Sequence, residues 1–237
     1  MDKFGLIGYP IAHSLSPVLF NQAYGGKWVY DLIEEPSFDE AWRRFAGSYK
    51  AVNVTAPYKE DAFRKADTVP QYVQKIGACN ILVKTPEGIA AHNSDYLGVK
   101  ALLEESFGPA RPANRTALII GFGGAGKAAA AAARDAGMDV AVCNRTTSKA
   151  RSIRPLEDIP LLAAASDIVI YTLPCPVPQT EGMSCRCLLE ANYRTPALES
   201  HPGIGRYIHG REWIIRQART GYALMTGEEP GEISLNN

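Results

Sequence analysis

The stretch that most constrains the fold lies near the middle of the chain. Thr116-Ala117-Leu118-Ile119-Ile120 is an apolar run of strand type. Gly121-Phe122-Gly123-Gly124-Ala125-Gly126 follows, and the alanine-rich segment from Lys127 to Ala136 has the composition of a helix. Gly121, Gly123 and Gly126 thus satisfy G-x-G-x-x-G between a strand and a helix, the context in which that spacing marks a dinucleotide site. The first glycine permits the tight turn, the second lets main chain approach a pyrophosphate, and the third allows close helix–strand packing. Free N–H groups at the helix start, with Gly124 and Ala125 in the run, hold the anion. The run also nearly reads as the phosphate loop of nucleotide hydrolases. There Ala128 stands where a hydroxyl would be needed for Mg²⁺, so dinucleotide binding is the favoured reading.

Strands and helices alternate along the rest of the chain. Phe4–Gly8, Trp28–Ile33, Ala51–Thr55, Asp139–Cys143 and Asp167–Thr172 read as strands. Asn80–Lys84 and Ile89–His92 flank a Pro86–Gly88 turn and read as a hairpin. Ser16-Pro17 opens a helix, with Ser16 as N-cap and proline at the first helical position. Phe38–Phe45, Lys59–Lys65, Asp95–Glu105 and Glu212–Met225 have helical spacing. Such alternation predicts an α/β chain with a parallel sheet and helices on its faces. The length allows one large domain or two, and composition shifts at Gly108–Pro112, a linker or boundary.

Charge and cysteine usage exclude other classes. The 25 basic and 25 acidic residues cancel, which speaks against nucleic acid or an anionic membrane as partner. The five cysteines, Cys79, Cys143, Cys175, Cys185 and Cys187, form no disulfide framework, and Cys185-Arg186-Cys187 lacks a matching zinc pair, so no metal is expected. The first residues read as a strand rather than a signal peptide, and no run of about 20 apolar residues occurs. These features predict a cytoplasmic protein and leave monomer and homodimer both open.

The end of the second Rossmann strand selects the cofactor. An acid there would bind the ribose 2′-OH of NAD. The chain instead reads Asn144-Arg145-Thr146-Thr147-Ser148-Lys149, two cations and several hydroxyls that suit a 2′-phosphate. NADP(H) is the expected cofactor.

Four short motifs complete the pattern: Ser14-Leu15-Ser16-Pro17, Asn53-Val54-Thr55-Ala56-Pro57-Tyr58-Lys59, Gly77-Ala78-Cys79-Asn80 and Asn93-Ser94-Asp95. With the glycine loop and Asn144-Arg145-Thr146, in this order and spacing, the chain resembles the shikimate dehydrogenase family from Gly5 to about Ala223. The resemblance implies NADPH-dependent reduction of 3-dehydroshikimate to shikimate, a step of aromatic amino acid biosynthesis. It also implies two α/β domains, residues 1–97 with a returning helix in 209–237 for the substrate and a Rossmann-like 98–208 for the cofactor, with the site in the cleft between them. It implies Lys59 and Asp95 as the catalytic pair, the ammonium supplying a proton as negative charge builds on the ketone oxygen. It implies Ser14 and Ser16 as carboxylate ligands, and Asn53, Thr55, Asn80, Asn93 and Asp95 as ligands of the ring hydroxyls. Tyr193 and Gln217 are further substrate contacts on this reading. Thr172, Gly210 and Trp213 join Gly121, Gly123, Gly124, Ala125, Gly126, Asn144, Arg145, Thr146 and Lys149 at the cofactor.

The chain departs from the family's pattern mostly at the nicotinamide end. Ile81 replaces a threonine, Tyr96 a glycine, His209 an aspartate and Trp213 a methionine, and the region from Pro174 to His209 is short and proline-rich. Two alternatives stay open: a quinate dehydrogenase with NAD, against which the missing acid after Cys143 speaks, and a non-catalytic binder of shikimate or NADP, against which Lys59 and Asp95 speak. A folate-type two-domain dehydrogenase is disfavoured by the S-x-S-P start.

Overall fold

The computed structural model describes residues 2–108, 114–150 and 152–235. Residues 109–112 of the expected linker lie outside this set. The chain forms two compact units, Met1–Ser94 with Ile215–Asn237, and Asp95–Ile214.

The first unit is a five-stranded sheet in the order β2-β1-β3-β4-β5. Its strands are β1 (Lys3–Gly8), β2 (Val29–Glu34), β3 (Ala51–Val54), β4 (Ile81–Thr85) and β5 (Gly88–His92). β1 pairs in parallel with β2 and β3, while β4 and β5 form the antiparallel hairpin expected at Pro86–Gly88. Alternation along β3 sends Val52 and Val54 into a core with Ile7, Ile33, Phe45 and Leu82. Asn53 takes the opposite face. The helices are α1 (Ser16–Tyr24), α2 (Phe38–Ser48), α3 (Lys59–Lys65) and the short α4 (Gln71–Ile76). Ile81, where the family has threonine, is fully buried, and its Cδ1 would lie 3.0 Å from a Cβ on Gly221. That position packs against the last helix.

Ser16 is not the N-cap of α1. The helix begins at Ser16 itself, Leu15 occupies the cap position, and the Ser14 hydroxyl accepts the Ser16 N–H at 3.2 Å. Pro17 lies in the first turn, as the sequence required.

The second unit has six parallel strands in the order β11-β10-β9-β6-β7-β8. They are β6 (Thr116–Ile120), β7 (Asp139–Cys143), β8 (Ile153–Arg154), β9 (Ile168–Tyr171), β10 (Cys185–Glu190) and β11 (Ile204–Ile208). Counted within the unit, this is the doubly wound 3-2-1-4-5-6 arrangement, whose order reverses between β6 and β9. Its helices are α5 (Ser94–Phe107), α6 (Gly124–Asp135) and α7 (Ile159–Ala165); α8 (Gly210–Thr226) starts here and ends in the first unit. Leu118, Ile120, Val169, Tyr171 and Leu188 form the core. Ala128, Ala129, Ala130, Ala132 and Ala133 are all fully buried, so α6 is enclosed on nearly every side, which only small side chains allow. Among the described residues no helix is long and apolar enough to cross a membrane.

α6 starts at Gly124, three residues earlier than helix propensity suggests. The reason is packing. A Cβ on Gly126 would lie 2.1 Å from the Gly121 carbonyl oxygen, so the first turn of the helix is built from residues that propensity disfavours.

Candidate active site

In the first unit the motif residues are tied together through main chain and short polar side chains. The loops after β1 and β3 meet where Tyr9 N–H donates to the Ala56 carbonyl at 3.2 Å, and both Tyr9-Pro10 and Ala56-Pro57 are cis. Gly8 permits this approach, since a Cβ there would lie 2.4 Å from the Thr55 methyl. Ser14 donates to Ser16 at 3.1 Å, and both are half-buried. Asn53 accepts from the Tyr30 phenol at 2.7 Å. Thr55 is half-buried two residues on, and its carbonyl accepts the Tyr58 N–H as the chain turns into α3.

Lys59 is the first residue of α3 and is half-buried. Its carbonyl accepts the Cys79 N–H at 3.0 Å, which locks the N-V-T-A-P-Y-K motif to G-A-C-N. Burial pushes the Cys79 thiol up to about 12, with the Lys59 charge opposing. Cys79 is therefore an un-ionised core thiol.

Asn80 and Asn93 do more structural work than their motifs suggest. Asn80 Oδ1 accepts the Ser94 N–H at 2.7 Å and its Nδ2 donates to the Ser94 hydroxyl at 3.1 Å, an N-terminal cap for α5 supplied from another segment. Asn93 is fully buried and donates to the Ala78 carbonyl at 3.0 Å. Gln217 is half-buried on α8.

In the second unit the glycine loop sits at the carboxyl ends of β6 and β9, at the switch point. Gly121 has φ +95°, a conformation that favours glycine, and its N–H donates to the Cys143 carbonyl at 2.8 Å. Thr172 backs the loop: its hydroxyl donates to the Ile120 carbonyl at 3.0 Å and would lie 2.5 Å from a Cβ on Gly121. A Cβ on Gly123, by contrast, meets nothing within 4 Å. The tight turn, the open approach and the packed third glycine are all present, and Gly124 and Ala125 carry first-turn N–H groups of α6. The loop fits a pyrophosphate.

After β7, Asn144 is half-buried and its amide donates to the Thr146 carbonyl at 3.3 Å, while Arg145, Thr146 and Lys149 are exposed. That set suits a phosphate. Tyr193 is half-buried with the Arg194 guanidinium 5.7 Å from its ring centre. Gly210 opens α8, where a Cβ would meet the Glu190 carbonyl at 2.6 Å. His209, which replaces the family's aspartate, caps α8, its Nδ1 accepting the Arg211 N–H at 3.0 Å. Tyr96 fills a glycine position by donating to Asp135 at 3.0 Å. Asp95 is buried, with its carbonyl accepting the Trp213 indole N–H.

Glu190 escaped the sequence reading. It is fully buried at the end of β10 and accepts from Ala197 N, Leu198 N and the Tyr207 hydroxyl at 2.6, 3.1 and 2.7 Å. It thereby holds the segment that carries Tyr193. A carboxylate ending an apolar strand was the available signal.

Comparisons with known proteins give the family. Residues 6–82 match the family model described as shikimate dehydrogenase substrate binding domain, and 89–193 that of D-isomer specific 2-hydroxyacid dehydrogenase, NAD binding domain. The NADP(+) shikimate dehydrogenase of Halothermothrix orenii is 30% identical over 95% of this chain and 91% of its own length. The chain belongs to the shikimate dehydrogenase family. Another relative, the NADP(+) shikimate dehydrogenase of Halorubrum lacusprofundi, is 38% identical, but over 63% of this chain and 58% of that protein. The shikimate 5-dehydrogenase of Thermus thermophilus in complex with NADP(H) and shikimate superposes with a TM-score of 0.81 at 26% identity, covering 98% of this chain and 95% of that one. The α/β architecture with a Rossmann-like second unit is therefore that of the shikimate dehydrogenase family.

Proposed function

We infer that the chain is an NADP(H)-dependent oxidoreductase that interconverts 3-dehydroshikimate and shikimate. The observation that carries this reading is the joining of the S-x-S-P, N-V-T-A-P-Y-K and G-A-C-N segments in one unit of a chain that belongs to this family. Lys59 is tied to Cys79 through main chain at 3.0 Å in that unit.

The substrate half uses neutral ligands around one cation. Ser14 and Ser16 offer hydroxyl donors at the start of α1, where the helix dipole favours a carboxylate. Asn53, Thr55, Asn80 and Asn93 take the ring hydroxyls, since amide and hydroxyl groups each donate and accept. Tyr193 and Gln217 complete this set of substrate contacts. Lys59 donates a proton to the ketone oxygen as charge builds there, and Asp95 orients the reacting groups. Bound NADPH supplies the hydride. Gly121, Gly123, Gly124, Ala125 and Gly126 hold its pyrophosphate, Asn144, Arg145, Thr146 and Lys149 its 2′-phosphate, and Thr172, Gly210 and Trp213 serve the nicotinamide end. We assign residues 1–97 and 209–237 to substrate binding and 98–208 to the cofactor. The work is that of a cytoplasmic biosynthetic enzyme, monomer or homodimer.

The test offers 3-dehydroshikimate and NADPH to wild type and Lys59→Ala and identifies the product. Wild type forms shikimate, while the variant binds shikimate with little change and loses kcat by about 10² or more. Near-normal turnover in the variant removes the role given to Lys59. Shikimate binding by a wild type that forms no product moves the reading to a binding protein.

A further inference from the structure

We propose that Tyr30 is a positioning residue for the substrate site, holding the Asn53 amide in the one orientation that offers the substrate a hydrogen-bond donor. The proposal rests on the reading that this site takes shikimate.

Register brings the two residues to one face. Tyr30 on β2 lies opposite Phe4 of β1, and Asn53 on β3 lies opposite Leu6 of β1. Phe4 and Leu6 are two residues apart and share a face, so the phenol reaches across β1 to the amide. The ring packs against Phe20 at a centroid distance of 4.7 Å and against Tyr222 at 6.3 Å. The phenol then donates to Asn53 Oδ1 at 2.7 Å. On its other side Asn53 Nδ2 faces the Asn80 carbonyl at 3.5 Å. A reversed amide would set its oxygen against that carbonyl, acceptor against acceptor, and would leave the phenol proton without its partner. Both contacts select the same orientation, in which the amide oxygen is used inside the protein and a free N–H remains for the ligand.

The same phenol also meets Ser16. Burial pushes it well above its ordinary value, the neighbouring Tyr222 adds to the shift, and a hydrogen bond from Ser16 opposes it, so it stays a donor at neutral pH. Tyr222 in turn donates to the Ser16 carbonyl at 3.2 Å. Tyr30 therefore connects the carboxylate ligands at the start of α1 with a ring-hydroxyl ligand on β3, without being a ligand itself.

The test is a double-mutant cycle on the full chain, measuring initial rates with shikimate and NADP⁺ and the calorimetric Kd of NADPH. Tyr30→Phe keeps the ring contacts and raises the shikimate KM about tenfold, with kcat within about twofold and NADPH binding unchanged. In an Asn53→Ala background the same change costs much less, what is left being the phenol's contact with Ser16. Asn53→Asp keeps the acceptor for Tyr30 but replaces the free N–H with an oxygen, and loses as much shikimate affinity as Asn53→Ala. An unchanged KM in Tyr30→Phe, an equal tenfold loss in both backgrounds, or full affinity in Asn53→Asp overturns the positioning role while wild-type turnover keeps the functional reading intact. A wild type that neither turns over nor binds shikimate removes both together.

Discussion

The indole N–H of Trp213, near the start of α8, donates to the main-chain carbonyl of Asp95, near the start of α5, at 3.1 Å. Both residues are buried. Trp213 therefore braces the helix turn that carries a carboxylate assigned to catalysis. Trp213→Phe keeps most of the bulk and removes the bond. It is expected to cost about 1 kcal/mol of stability and to lower kcat by roughly tenfold, since small misplacements at a reacting centre are expensive. Paired thermal melts and steady-state rates check this, and an unchanged kcat would show that the brace does not reach the chemistry.

The second and third glycines of the loop are under different constraints and separate experimentally. A methyl on Gly126 would collide with the Gly121 carbonyl, 2.1 Å away, whereas a methyl on Gly123 meets no protein atom. Gly126→Ala should lower the melting temperature and abolish NADPH binding. Gly123→Ala should melt like wild type yet weaken NADPH by about tenfold or more, because the methyl occupies the approach of the pyrophosphate. Calorimetry with both variants decides it. Full NADPH affinity in Gly123→Ala would place the phosphates elsewhere.

Arg145 is exposed after β7. Its loss should act on the 2′-phosphate alone. Arg145→Ala is expected to weaken NADPH by about 1.5–3 kcal/mol, on the order of tenfold to a hundredfold, and leave NADH almost untouched. Equal losses for the two cofactors would mean that the 2′-phosphate is read by other residues.

His92 lies at the end of β5 with its Nδ1 3.4 Å from the Tyr72 hydroxyl, and burial lowers its pKa below the ordinary 6.5. The unfolded chain then binds more protons than the native one between the lowered value and 6.5, so stability is lost as the pH falls through that window. His92→Gln should flatten this part of the stability profile. Denaturant melts across mildly acidic pH test it, and an identical slope in the variant would assign the acid sensitivity to other groups.

Much of this arrangement was legible in the sequence because local rules and tertiary packing agree. The strand before Gly121, the Pro86–Gly88 hairpin turn and the helix opened by Lys59 all followed from residue type and period. What escaped were elements decided by their neighbours. β10, Cys185–Glu190, is flanked by strands on both sides and buried at five of six positions, so it shows no clean alternation. β8 is two residues long, and α4 and α7, of six and seven residues, lack the acidic first turn that marks the equally short α3. At the site, residue types were readable but their engagements were not. Nothing in the order of residues says that Asn80 caps α5 through Ser94, or that Tyr30 reaches Asn53 across an intervening strand. Those contacts depend on register, which a single chain does not spell out.

The central claim is tested most directly by offering the purified protein shikimate or quinate against NADP⁺ or NAD⁺ and following reduced nicotinamide by its absorbance. The account predicts that shikimate with NADP⁺ has the highest kcat/KM of the four pairs. Preference for quinate with NAD⁺, or no reduction with any pair, would contradict it.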